Sequence, residues 1–150
     1  EAARANGVSN AQSVATAICI YLADYDEVFP NAASTAQAQA AVAPYIKNQA
    51  LWTTANPNGG RLLYNTYLAR ISMSRIEQPA ETLLLWDENA WPDGGRVVAF
   101  ADGKAKYLSD AQWTAAWKAE LSRRTRTKVP APRAGSPLPP KKLGLMSCGH

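Results

Sequence analysis

The chain has 150 residues, 47% of them hydrophobic, enough for one domain with a buried core and too apolar for a disordered chain. Its net charge of +4 is uneven: residues 121–150 carry seven basic side chains and no acidic one, while residues 1–120 carry nine against twelve, a net −3. That removes the electrostatic basis for a body that binds nucleic acid and confines any polyanion contact to the tail, where Arg123, Arg124, Arg126 and Lys128 open the basic run.

Residues 2–28 read as one helix. Val14, Ile18, Tyr21, Leu22 and Tyr25 recur at spacings of three and four and give it one apolar face. Pro30 marks its end, and Phe29 before it must leave helical geometry. Asp24, Asp26 and Glu27 crowd the C-terminal end, where the helix dipole disfavours anions. Cys19 lies inside the apolar pattern and reads as a buried free thiol, with a Cys19–Cys148 disulfide as the alternative. Ser34 or Thr35 caps a short helix through "TAQAQAAVAPYIK", which Pro44 ends or bends.

"NQALWTTANPNGG" is a loop, "RLLYNTYL" (61–68) an extended segment, and "TLLLWDE" (82–88) an apolar run suited to a central strand. "RVVAFA" and "KAKYL" then flank Asp102-Gly103, the strongest short-range hairpin signal in the chain. Ser109 with Gln112 forms a capping-box pattern that opens the last helix, whose Trp113 and Trp117 are placed to close over the sheet. Five prolines fall between residues 130 and 150, so residues 125–150 read as an extended basic tail and residues 1–124 as the globular part. The order of elements is α+β: a long N-terminal helix covering a small antiparallel sheet, with a closing helix. Val14, Ile18, Leu22 and Tyr25 are expected to pack on Leu84 and Val98, while the first turns, with Arg4, Asn6 and Gly7, project past the sheet.

The chemistry-bearing residues are sparse. Two cysteines and His150 as the single histidine cannot assemble a zinc site or a histidine-based catalytic centre. Asp87, Glu88, Asp93 and Asp102 could supply a carboxylate pair, yet all four fall at strand ends and turns, where carboxylates are ordinarily solvated. The residues therefore point away from an enzyme.

Four segments in order resemble one bacterial family. "AARANGVSNAQSVATAICIYLADYDEVFP", "VAPYIKNQALW", "IEQPAETLLLWDE" and "GGRVVAFADGKAKYL" are similar to the type IV pilin-like proteins of the prepilin type, which carry a His, nine residues, then Asp-Gly. The departures are specific. Pro92 stands where that histidine would be, Lys104 follows Asp-Gly in place of a second histidine, and "TTANP" replaces a Cys-Pro. The resemblance implies a pilin-like fold without catalysis. It also implies a leader and apolar half-helix beginning roughly 25–30 residues before Glu1, with about 20 apolar residues to span the inner membrane. The implied function is a structural subunit of a type IV pilus or type II secretion pseudopilus. Its partners would be other subunits of a helical filament, its place the cell envelope and then a periplasmic or extracellular filament. A minor pilin-like adhesion or DNA-binding module acting through the basic tail is the alternative. Cofactors are none expected except calcium, which some pseudopilins of this family bind near the sheet; Asp87, Glu88, Asn89 and Asp93 of "WDENAWPDGG" are the candidate ligands here.

Overall fold

The computed structural model describes residues 2–127, and its architecture is α+β. Helix α1 (Ala2–Asp24) is followed by helix α2 (Thr35–Val42) and then by strands β1 (Leu62–Tyr64), β2 (Leu83–Asp87), β3 (Arg96–Phe100) and β4 (Ala105–Leu108), before helix α3 (Asp110–Thr127). The strands form one antiparallel sheet in the order β1-β2-β3-β4. Helix α3 runs three residues beyond the boundary drawn at 124; the remaining tail, with Lys128, lies outside the described residues.

Both faces of the sheet are covered, each by a different helix. On one face Val14, Ile18, Tyr21 and Leu22 of α1 meet Leu84, Leu85, Val97 and Ala99 in the main core. On the other, Trp113 and Trp117 of α3 pack with Trp86 over Leu83, Val98, Phe100 and Leu108. The stacked Trp113 and Trp117 rings lie 5.5 Å apart, and Trp117 meets Trp86 edge-on at 5.3 Å. Val98 therefore faces α3 rather than α1, contrary to the sequence expectation. The reason is local. A bulge between Leu83 and Leu85 lets the consecutive Leu84 and Leu85 both join the α1 face, after which Trp86 pairs with Val98 on the opposite one.

Helix α1 stops at Asp24, four residues short of the expected end, because Asp26 and Glu27 both take φ of 60°. The Glu27 N–H then folds back onto the Leu22 carbonyl at 2.7 Å, and Val28 bridges to Ser72. Asp24 is relieved of the unfavourable helix terminus by the Tyr45 hydroxyl, which donates to it at 2.6 Å. The first turns do not project. Arg4 pairs with Asp93 at 2.8 Å, the Asn10 amide donates to the Thr53 carbonyl, and Gly7 is buried so close to Val97 and Thr54 that a Cβ would sit 3.1–3.2 Å from both. Helix α1 thus packs on the sheet and on the segments Ala43–Tyr45 and Gln49–Trp52 beside it.

Strand β1 is shorter than the predicted extended segment because Asn65 turns the chain, its side chain accepting from the Tyr67 N–H. Ser34 caps α2 and Ser109 caps α3. The reciprocal Ser109–Gln112 bonds measure 2.9 and 3.2 Å. The β3–β4 loop is three residues, Ala101–Asp102–Gly103, closed by Gly103 N–H to Phe100 O and Phe100 N–H to Lys104 O. Gly103 takes the positive φ, 91°, while Asp102 keeps an ordinary one and caps the Lys104 N–H. Gly103→Val is expected to lower stability by about 1–2 kcal/mol through backbone strain. A thermal midpoint equal to that of the unsubstituted protein would show that this conformation is not what the position requires.

Candidate functional site

The acidic loop after β2 does not gather its oxygens. Asp87 is fully buried, and its carboxylate accepts three donors from this chain: Trp91 Nε1 at 2.8 Å, the Val97 N–H at 2.8 Å and Thr54 Oγ1 at 2.9 Å. Arg96 adds bonds to the Asp87 and Glu88 carbonyls. Burial raises the Asp87 pKa above the ordinary carboxylate value, and those three bonds with the nearby Arg96 guanidinium oppose the rise.

Its neighbours look elsewhere. Glu88 pairs with Arg61 at 3.4 Å in solvent, and the Asn89 amide reaches the Gly59 carbonyl. Asp93 accepts from the Tyr107 hydroxyl and the Gly95 N–H and pairs with Arg4, whose guanidinium lies 4.8 Å over the Tyr107 ring. The Tyr107 bond, then the Gly95 N–H, holds the Asp93 pKa below its usual value, while burial and the same bond push Tyr107 up to about 12. Four proposed calcium donors thus serve four separate sets of partners. Among the described residues, no three His, Cys, Asp or Glu side chains are grouped to hold a metal ion. No calcium chemistry is derived from them.

The basic residues at the end of α3 divide in the same way. Glu120 is 3% exposed, deep in the face that meets the sheet. Arg124 donates to its carboxylate at 2.8 Å and Arg123 at 3.2 Å. Arg124 also donates to Asn65 Oδ1 and stacks 3.9 Å from the Tyr67 ring centre. Asn65 completes the network by donating to Glu120 at 2.9 Å and to the Leu83 carbonyl at 2.8 Å. Arg123 and Arg124 therefore bind α3 to the β1–β2 end of the sheet, and their donors are engaged within the fold. The Arg126 side chain and Lys128 lie outside the described residues. Nothing in the sequence pattern pairs Asn65 with Glu120, which are brought together only by the sheet.

One surface remains open. Along α1, the exposed residues are Ala2, Ala5, Asn6, Ser9, Gln12, Ser13, Thr16 and Ile20, and Ile20 is a large apolar side chain 38% exposed. Gln12 leaves this stripe to clamp the hairpin: its amide nitrogen donates to the Gly103 carbonyl, and its oxygen accepts the outward N–H of Ala105 at 3.0 Å. That bond closes part of the β4 edge, as the Thr35 hydroxyl does for β1 by accepting the Tyr64 N–H. Cys19, beside Ile20, is buried and disulfide-bonded, so the free thiol expected from its apolar setting is not what the structure holds. No family model, no curated protein and no solved structure matches the chain.

Proposed function

We propose that the chain is the globular part of a pilin-like subunit of a bacterial surface or secretion filament. The observation that carries this reading is the placement of α1, which covers one face of an antiparallel sheet and turns outward a stripe that includes Ala5, Ser9, Ser13 and Thr16 with one exposed isoleucine. Small side chains on an outer helical face permit close approach of a neighbouring subunit, and the apolar Ile20 gives that contact a hydrophobic element. The order of pilin-like motifs in the sequence supports the same reading. The disulfide at Cys19 fits an oxidising compartment such as the cell envelope, since such bonds persist there and not in a reducing cytosol. Among the described residues, no helix is long and apolar enough to cross a membrane.

Expression from the complete gene in a strain with an assembly system tests this. Filaments sheared from cells should contain the chain, and Ser13→Arg, on the outer face of α1, should remove it from them without changing its thermal midpoint. Equal recovery of the variant in sheared filaments, or a gene that begins directly before Glu1 with no apolar segment, would sink the proposal.

A further inference from the structure

Helix α3 is seated on the sheet without a buried apolar side chain of its own. Between Asp110 and Thr125 only Glu120 is buried; Trp113, Ala116, Trp117, Arg123 and Arg124 are half-buried and the rest are exposed, Leu121 to 45%. A helix that closes a domain ordinarily sinks an apolar stripe into the core, as α1 does with Val14, Ile18 and Leu22. The deepest group of α3 is instead a carboxylate. We propose that α3 is a latch, which swings off the sheet as an intact helix about Leu108–Ser109 while α1 and the sheet stay folded. Opening uncovers Leu83, Val98 and Phe100, turning a covered sheet face into an exposed apolar one. This does not depend on the filament reading.

The charges favour that motion. Both arginines that pair with Glu120 belong to α3 itself, three and four residues further on, with bonds of 3.2 and 2.8 Å. The ion pairs therefore leave with the helix, and opening strands no charge in the core. It returns three charged groups to water and recovers the desolvation cost that the closed state carries. Among the described residues, the hydrogen bonds from this group to the sheet side run to a neutral side chain: Asn65 donates to Glu120 and accepts from Arg124. Asn65 keeps its bonds to the Leu83 carbonyl and the Tyr67 N–H when α3 departs.

An aromatic layer holds the latch shut. Trp113 and Trp117 lie against Trp86, Arg96 lies over Trp113, and Arg124 lies over Tyr67. Since both tryptophans of α3 are only half-buried, releasing them costs less than releasing α1 from the main core. The helix is also braced to move as one piece. The Ser109–Gln112 box caps its start, the Glu120 pairs tie its later turns, and Ser109 alone separates it from β4.

Strand β3 supplies the test, because two consecutive buried residues lie under different helices, Val97 under α1 and Val98 under α3. Val97→Cys and Val98→Cys are introduced separately into the complete chain, kept free of reductant; Cys19 is disulfide-bonded and does not compete for reagent. With each variant's global stability taken from urea denaturation, dithiobis(nitrobenzoate) should modify the Val98→Cys protein about 100-fold faster than the Val97→Cys protein. Leu83→Cys against Leu84→Cys repeats the comparison on β2 should either valine variant fold poorly. Global unfolding exposes both faces together, so equal rates would overturn the latch. A rate that climbs with protein concentration would mean exchange of α3 between copies and would overturn opening within one chain. The modified Val98→Cys protein, propped open by its aromatic adduct, should keep its helical circular dichroism; loss of the 18 residues of α3 from that signal would overturn motion as an intact helix.

Discussion

Asp87→Leu is expected to destabilise the domain by about 4 kcal/mol, a large share of the 5–15 kcal/mol that holds a domain of this size together. The substitution keeps the volume and removes the acceptor. It strands the Trp91 indole, the Val97 N–H and the Thr54 hydroxyl in a site with no exposure, and leaves the adjacent Arg96 without its nearest anion. Each orphaned buried group costs about 1–3 kcal/mol, less when the surroundings relax together. Asp87→Asn should cost about half as much, since one face of the amide can still accept. The sign of the pH effect follows from the raised pKa. The folded protein holds the Asp87 proton more tightly than the unfolded chain does, so this group's contribution falls as pH rises from the ordinary carboxylate pKa through the raised one. The penalty of Asp87→Asn is therefore smaller at neutral pH than below that window. Urea denaturation at both ends measures it, and a leucine variant within about 1 kcal/mol of the unsubstituted protein would contradict the assignment.

Glu120→Ala comes next, at about 3 kcal/mol, because removing one partner of a buried ion pair leaves the other charge uncompensated. Here two guanidinium groups lose their anion, with side chains only 12% and 18% exposed, and the Asn65 amide loses an acceptor. The loss should appear as loosening of α3 from the sheet: Trp117 fluorescence should shift toward that of a hydrated indole before the main unfolding transition. Glu120→Gln, which keeps one acceptor, should retain part of the stability. Equal behaviour of the alanine, glutamine and unsubstituted proteins would show that the network is ornamental to the fold.

The parts legible in the sequence are those set by neighbours along the chain. Ser109 and Gln112 cap α3 as their spacing indicates, Gly103 takes the positive φ its hairpin demands, and the apolar run of β2 is an interior strand. The parts not legible depend on distant partners. Asp87 reads as a solvated strand end because the Thr54 donor comes from 33 residues away and the Trp91 indole and Val97 N–H reach it only once the β2–β3 connection has folded. Arg4 reads as unpartnered because its carboxylate, Asp93, is reached only after the sheet has folded. Strict alternation puts Val98 on the wrong face because it cannot register the bulge at Leu84. The early end of α1 rests on two left-handed acidic residues, a conformation that Asp adopts readily but Glu rarely, so proline was the stronger signal.

The meander order of the sheet has a kinetic consequence. Each strand pairs with the next one in the chain across the intervening segments 65–82, 88–95 and 101–104, and α3 follows at once onto the face those strands create. Such short closures cost little chain entropy, so residues 62–127 can reach their arrangement by local search. Helix α1 must instead find strands most of the chain away, although the ribosome makes it first. Its docking is therefore expected to come last, leaving Leu85, Val97 and Ala99 as an uncovered apolar face until then. During synthesis this helix, the first element made, is thus expected to be the last one committed to the fold.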